Sequence, residues 1–315
     1  MSYHILHITT PNVSISSDRG LLFCKYENNE TRMIAVQDVK AVIVAARGII
    51  FTNDCLAKLL ENNVVILHCN MRYQPVGLSL PLERIVRPEV FYKQTACNFD
   101  FTNKLWKMIL KTKVINQANN LALLGEENNN LLNLINRPLM NEANIAKQYW
   151  ERYFSILGNP QKREHKNAKS FENACLNYGY AIIKTLIYRS VIIHGLTAGL
   201  GIHHSGKYKA SPLVYDLMEP YRPFIDYYLY CFLKEYPESL ANKDIKAFSR
   251  YVAECIKQYR LEINEKSYKL LDTIDIYIER IADAFIDYNC TNLFLPDIRN
   301  QYRHTDKQRN REYEE

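Results

Sequence analysis

The chain has little of what marks a stapled, membrane-spanning or disordered protein. Its eight cysteines never come closer than the 14 residues separating Cys55 from Cys69, so there is no Cys-x-x-Cys pair for zinc or redox chemistry. They read as reduced packing residues. With only 10 glycines and 11 prolines in 315 residues, collagen-like and low-complexity chains are excluded. No window approaches the ~20 apolar residues that a membrane span needs. The start, MSYHILHITTPNVS, has no basic segment followed by an apolar run, so no secretory signal is read and a cytoplasmic location is expected. Charge of one sign is not in large excess either: 40 Lys plus Arg against 34 Asp plus Glu leave +6. That balance points to a polyanionic partner only if the positive charge is clustered.

What is present is a hydrophobic fraction of 47% in a chain long enough for two ordinary domains. The positive charge is clustered. Between Asn98 and Ser170 there are 11 Lys/Arg against 6 Asp/Glu, a net +5. Residues 1–87 alternate β-branched runs with turn chemistry: HILHIT, VSISS and LLFCKY, then AVIVAA and VVILHC. They read as a β-rich domain. Thr52-Asn53 caps a short helix over DCLAKLLENN. From residue 88 onward the period becomes helical, with helices expected at 89–124, 141–157, 169–195, 212–236, 242–262 and 266–287. The fold class is therefore α+β: a small β-rich N-terminal domain (1–87) followed by a larger all-α C-terminal domain (88–315). The Asn-rich stretch 125–144 reads as a loop or broken helix, and the polar tail beyond Pro296 as frayed.

The densest chemistry lies in GLGIHHSGKYKASPLVYDLMEPYRP, residues 199–223. His203 and His204 stand a short loop ahead of Asp216 and Glu219, which are cation ligands by type. Ser211-Pro212 resembles a helix start, which would place Asp216 and Glu219 at i, i+3 on one face. An adjacent histidine pair is more often structural than metal-binding. A further carboxylate, Glu142, opens the helix NEANIAKQYWERYF, where a helix-start glutamate favoured by the macrodipole is the plain alternative. Lys104, Lys107 and Lys111 share one helical face, either a phosphate track or a solvated surface. Arg222, three residues past Glu219, can hold a carboxylate or meet DNA. QKREHKNAK (161–169) is a basic loop, and Asn177 can hydrogen-bond within its own motif.

Three blocks together resemble one family. Glu142 with Ala146, Tyr149 and Trp150, the segment LNYGYAIIKTLIYRSVIIHGL (176–196), and GIHH followed by DLMEPYRP are similar, in order, to motifs of the CRISPR-associated Cas1 proteins. The resemblance implies a β-rich domain that forms a homodimer and a helical domain that holds one divalent metal, Mg²⁺ or Mn²⁺. Carried over residue by residue, the ligands and catalytic residues become Glu142, His204 and Glu219. His204 is favoured over His203 because it closes the Gly-x-x-His motif begun at Gly201, and Asp216 stands as an alternative or additional ligand. The implied reaction is attack by DNA 3′-hydroxyls on phosphodiesters, inserting spacer fragments into a CRISPR array, with associated endonuclease activity. The implied partners are double-stranded DNA (prespacer and repeat), a second copy of the chain, and Cas2. Competing readings are a non-catalytic nucleic-acid-binding scaffold and a tyrosine recombinase, which would need a covalent phosphotyrosyl adduct.

Overall fold

The computed structural model describes residues 4–71, 75–82, 87–126, 131–133, 142–165, 168–204 and 211–303. The N-terminal part runs β1 (His4–Ile8), β2 (Ser14–Asp18), β3 (Leu21–Lys25), β4 (Thr31–Ala35), β5 (Val39–Val44), β6 (Ile50–Phe51), α1 (Asn53–Glu61), β7 (Val65–Cys69) and β8 (Pro75–Ser79). These strands form two four-stranded sheets, ordered β4-β3-β2-β6 and β1-β5-β7-β8. Thr52 caps α1 as expected, its hydroxyl accepting from the Cys55 N–H at 3.2 Å. The mostly helical remainder contains α2 (Pro88–Ala96), α3 (Phe99–Leu123), α4 (Glu142–Ile156), α5 (Phe171–Ile193), α6 (Pro212–Leu217), α7 (Arg222–Glu235), α8 (Glu238–Asn242), α9 (Ile245–Gln258) and α10 (Leu270–Asp287). Among the described residues no helix is long and apolar enough to cross a membrane.

The second sheet explains why AVIVAA and VVILHC are apolar throughout. β1, β5 and β7 are parallel neighbours, and parallel strands are normally covered on both faces. Val42 and Ile66 pack into the β-rich core with Val13, Ile15, Leu22 and Leu59. Ala41, Ile43 and Leu67 point the other way, into the helical core. The two parts of the chain are thus welded through one sheet. A bulge adds a second tie: His4 faces Val39 and Ile5 faces Ala41, so Lys40 is an extra residue in β5. Its ammonium lies 2.8 Å from Asp272 and 2.9 Å from Asp275 of α10, and Arg189 of α5 reaches Asp275 at 3.2 Å.

α5 is buried on several faces, packing against α7, α9 and α10 and against β5, β7 and β8. Gly179 sets how close α7 can come, because a Cβ there would lie 2.5 Å from Ile225. The expected helix 89–124 is two helices. Asn98 interrupts it, its side chain accepting from the Phe101 N–H at 2.9 Å and starting α3. The expected helix 212–236 is broken by a 3-10 turn at Glu219–Tyr221.

Two further expectations need correction. The C-terminal part is not all helix: β9 (Tyr259–Ile263) and β10 (Lys266–Lys269) form a hairpin, joined on the other edge of β9 by β11 (Gln301–Arg303). Asn264 and Glu265 take left-handed φ values of 48° and 63°, as two-residue hairpin turns require. The tail is held rather than frayed up to 303: Ile298 is fully buried, and its N–H donates to Asn116 at 3.1 Å. Residues 304–315 lie outside the described residues, as do 127–130 and 134–141 of the Asn-rich stretch.

Candidate functional site

The loop before α6 turns around a single carboxylate. Asp216 is fully buried, and its Oδ2 accepts from the backbone N–H groups of Ile202 at 2.7 Å and His203 at 2.9 Å. The His204 N–H approaches Oδ1 at 3.3 Å. Gly201 makes this turn possible, since a Cβ there would lie 2.2 Å from the His204 carbonyl and 3.1 Å from Asp216 Oδ2. Asp216 Oδ1 also holds His204 Nδ1 at 2.5 Å. With Nδ1 engaged, any metal bond to this imidazole must come through Nε2, the arrangement in which a carboxylate orients a metal-binding histidine. Trp106 of α3 stacks on His203 at 4.4 Å with planes 2° apart and meets His204 edge-on at 6.0 Å. The two histidines therefore differ: His203 is a stacking partner, and His204 is the one aimed by a buried acid.

Glu142 and Glu219 converge on one cation. Glu142 is the first residue of α4, and Glu219 opens the 3-10 turn. Lys113 of α3 places its ammonium 2.8 Å from Glu142 Oε1 and 2.7 Å from Glu219 Oε2. Arg222 takes the other Glu219 oxygen at 3.0 Å. Burial alone would push the Glu219 carboxyl upward, but Arg222 and Lys113 outweigh it and hold the group below its usual range. Burial likewise disfavours the Lys113 ammonium, and Glu219 and Glu142 outweigh that, leaving its pKa raised. Asp216 and Glu219 were expected to share a helix face; instead α6 ends at Leu217 and the two acids serve different partners.

A second polar layer lies seven residues on along three of the elements. Lys113 is followed by Asn120, Glu142 by Tyr149 and Glu219 by Asp226. Asn120 donates to the Tyr149 hydroxyl at 2.8 Å. The hydroxyls of Tyr149 and Tyr180 donate to the two Asp226 oxygens at 2.6 and 2.5 Å. Burial raises the Asp226 carboxyl to about 6, against the pull of those two hydroxyls. The guanidinium groups of Arg222 and Arg163 both pack over the Tyr180 ring, at 5.0 and 5.3 Å. Arg163 also donates to Asn173 at 3.0 Å and Asn177 at 2.6 Å, which pins the loop carrying His165. Burial, Arg163 and Arg222 lower the His165 pKa.

Among the residues singled out from sequence, Glu142, Glu219 and Arg222 are brought together, and His204 and Asp216 form the adjoining pair. Lys104, Lys107 and Lys111 line the exposed face of α3, none paired with a carboxylate among the described residues. Lys113, Arg163 and Asp226 were not singled out. Lys113 had a signal: it falls on the buried face of α3 with Trp106, Ile109 and Asn116, where a lysine needs a partner for its charge.

The donor set suits a divalent cation. Two carboxylates converge on one positive charge beside an oriented imidazole, and Glu219 Oε2, although ion-paired, is buried with no well-directed hydrogen bond. Among the described residues no three of His, Cys, Asp and Glu stand close enough to form a ready cage. Lys113 occupies the convergence point instead.

The family model described as CRISPR associated protein Cas1 matches residues 6–236. The CRISPR-associated endonuclease Cas1 of Neisseria meningitidis serogroup C (strain 8013) is 25% identical over 280 residues, covering 86% of this chain and 89% of that protein. The fold is similar to that of a Cas1 protein from Thermotoga maritima, with a TM-score of 0.77, 14% identity and coverage of 93% and 100%. A casposase bound to its integration product gives 0.75 at 16% identity, covering 92% of each chain. A chain of a Cas6-RT-Cas1–Cas2 complex gives 0.71 at 14% identity, covering 95% of this chain and 36% of that one.

Proposed function

The chain belongs to the CRISPR-associated Cas1 family, and from that premise we propose that it is a CRISPR adaptation integrase with associated metal-dependent DNA endonuclease activity. The observation that carries the reading is the convergence of Glu142 and Glu219 on one cation position beside His204, whose ring is aimed by Asp216. Glu142, Glu219 and His204 Nε2 would hold Mg²⁺ or Mn²⁺, hard-to-borderline ions that accept carboxylate and imidazole donors. Asp216 acts as the orienter of His204, because its oxygens are already taken by backbone N–H groups and the imidazole. Held by Glu142, Glu219 and His204, such an ion would supply polarisation of the phosphodiester and of the attacking hydroxyl.

The chain's own residues provide the rest. Arg222 holds Glu219 in place, and the floor of Tyr149, Tyr180 and Asp226 fixes α4, α5 and α7 against one another. Lys104, Lys107 and Lys111 give double-stranded DNA, prespacer or CRISPR repeat, a phosphate track on the helix that carries Lys113. A DNA 3′-hydroxyl attacking phosphorus in line would form a new phosphodiester as the target's P–O3′ bond breaks and its 3′-hydroxyl leaves, which is strand transfer; water in its place would leave a 5′-phosphate and a free 3′-hydroxyl, which is cleavage. A homodimer working with Cas2 is part of the same proposal. It is supported by family membership and by the Cas1–Cas2 complex among the structural relatives.

The test is strand transfer and cleavage on repeat-containing and branched DNA with Mn²⁺ or Mg²⁺. Glu142→Ala and His204→Ala are expected to lower both by a factor of roughly 10² or more, the scale of losing groups that act on the reacting centre. Activity that survives both substitutions would sink the proposal. A trapped protein–DNA phosphotyrosyl adduct would replace it with a recombinase mechanism.

A further inference from the structure

Lys113 stands where the proposed function requires a metal. Its ammonium bridges the two carboxylates at 2.8 and 2.7 Å, with a side chain only 12% exposed. The remaining Glu219 oxygen is taken by Arg222. As it stands, two carboxylates face two cations, so the cluster is balanced with no metal in it. A divalent ion between Glu142 and Glu219 would compete with Lys113 for Glu219 Oε2, since Arg222 holds the other Glu219 oxygen. It would also sit within contact distance of a buried ammonium, where like charges repel strongly because little water screens them. Ammonium and metal are alternatives at this point.

We propose that Lys113 is a resident cation: it keeps Glu142 and Glu219 converged in the metal-free protein and is displaced from between them when the divalent metal binds. This rests on the metal reading of the proposed function. A lysine suits the role better than an arginine. Its charge is compact and sits on a flexible four-carbon stem, so it can neutralise two acids and then withdraw, whereas a guanidinium fork would fix them. Arg222, whose ring-stacked guanidinium is held over Tyr180, is the fixed counterpart. Without a resident cation, the buried Glu219 and the half-exposed Glu142 would face each other as like charges and move apart.

The experiment is a Mn²⁺ titration of the full chain, with free Mn²⁺ read by electron paramagnetic resonance, comparing wild type, Lys113→Met and His204→Ala. Methionine keeps the length of the stem and removes the charge. The expected result is that Lys113→Met binds Mn²⁺ at least about tenfold more tightly than wild type, while His204→Ala binds more weakly. Unchanged or weaker binding by a folded Lys113→Met, with wild-type binding still sensitive to His204, overturns the displacement and leaves the metal site standing. Absence of Mn²⁺ binding in wild type and Lys113→Met alike overturns both. If Lys113→Met does not fold, wild type decides: reductive methylation of Lys113, followed by peptide mass spectrometry, should be slow without metal and several-fold faster with saturating Mg²⁺. Equal protection in both states overturns the proposal.

Discussion

At the scale of single residues, burial decides what an ionisable group does. His7 of β1 lies between the two parts of the chain, its Nε2 3.1 Å from the Tyr178 hydroxyl and 3.3 Å from Ser249 Oγ. Burial, assisted by Arg250, lowers its pKa to about 4. An unfolded histidine titrates near 6.5. Between those values the unfolded chain takes up a proton that the folded chain refuses, so this contribution to stability is present above about pH 6.5 and is lost as the pH falls towards 4. His7→Gln removes that dependence. The stability difference between wild type and His7→Gln, from urea unfolding, should shift by up to about 3 kcal/mol in the variant's favour between pH 7 and pH 4. A difference that stays constant with pH would show that His7 is not the group responsible. The same scale shows what the sequence could reveal of the site. Local spacing marked the histidine pair, Asp216 and Glu219 as candidates and left Glu142 an ordinary helix-start acid; it took the resemblance of three ordered blocks to one family to single out Glu142 and to favour His204 over His203. Asp226 was not legible, because what makes it notable is convergence of Tyr149 and Tyr180 from two other helices, and no local pattern records that.

At the scale of elements, α3 is the organising rod. Its 25 residues present exposed lysines on one side, while Trp106, Lys113, Asn116 and Asn120 point inward. Asn116 is fully buried. It donates to the Pro220 carbonyl at 2.9 Å and the Pro296 carbonyl at 2.8 Å, and accepts from the Ile298 N–H. One side chain thus anchors both the turn bearing Glu219 and the segment leading into β11. Asn116→Ala leaves those backbone groups unpaired and is expected to cost roughly 3 kcal/mol. Limited proteolysis should then cut first within 296–303, and an unchanged cleavage pattern would refute the anchoring role. Periodicity located α4 and α5 to within two residues and the C-terminal ends of α3 and α10, because amphipathic spacing is a local property, but it ran α2 into α3 and β10 into α10. It missed the hairpin of β9 and β10, where YRLEI and KSYK are short apolar-containing runs flanking helices, and only the left-handed pair Asn264-Glu265 separates them. It also missed the packing of residues 297–303, whose polar composition hides a single buried anchor, Ile298.

At the scale of the whole molecule, the β-rich part and the helical part share a sheet rather than a linker. The apolar run of β5 was read from sequence as one more strand, but its two-sided burial depends on a helical partner distant in sequence. The ion cluster of Lys40, Asp272, Asp275 and Arg189 lies at that junction. Burial would raise Asp275, and Arg189 and Lys40 more than offset it, so the carboxyl lies below its usual range. Its contribution is therefore present at neutral pH and lost as the pH falls through the depressed value. Lys40→Ala should destabilise by about 3 kcal/mol, the scale of breaking a buried pair. Unfolding should nonetheless remain one transition by calorimetry, because both parts bury the same strands. Two separate transitions would contradict the shared core.

The bulge at Lys40 also sets which insertions and deletions the chain can absorb. Val39 and Val42 face the β-rich core, Ala41 and Ile43 the helical one, and Lys40 is the residue out of step. Deleting one codon at position 40 would leave Val39, Ala41, Val42 and Ile43 in unbroken alternation, at the expense of the ammonium beside Asp275. Deleting position 41 would keep the alternation too, because Lys40 already points to the helical side, whereas deleting 42 or 43 would reverse the facing of every strand residue on one side of the cut. In a lineage free to gain and lose residues, this strand therefore has one place, the bulge of Lys40 and Ala41, where its length can drift.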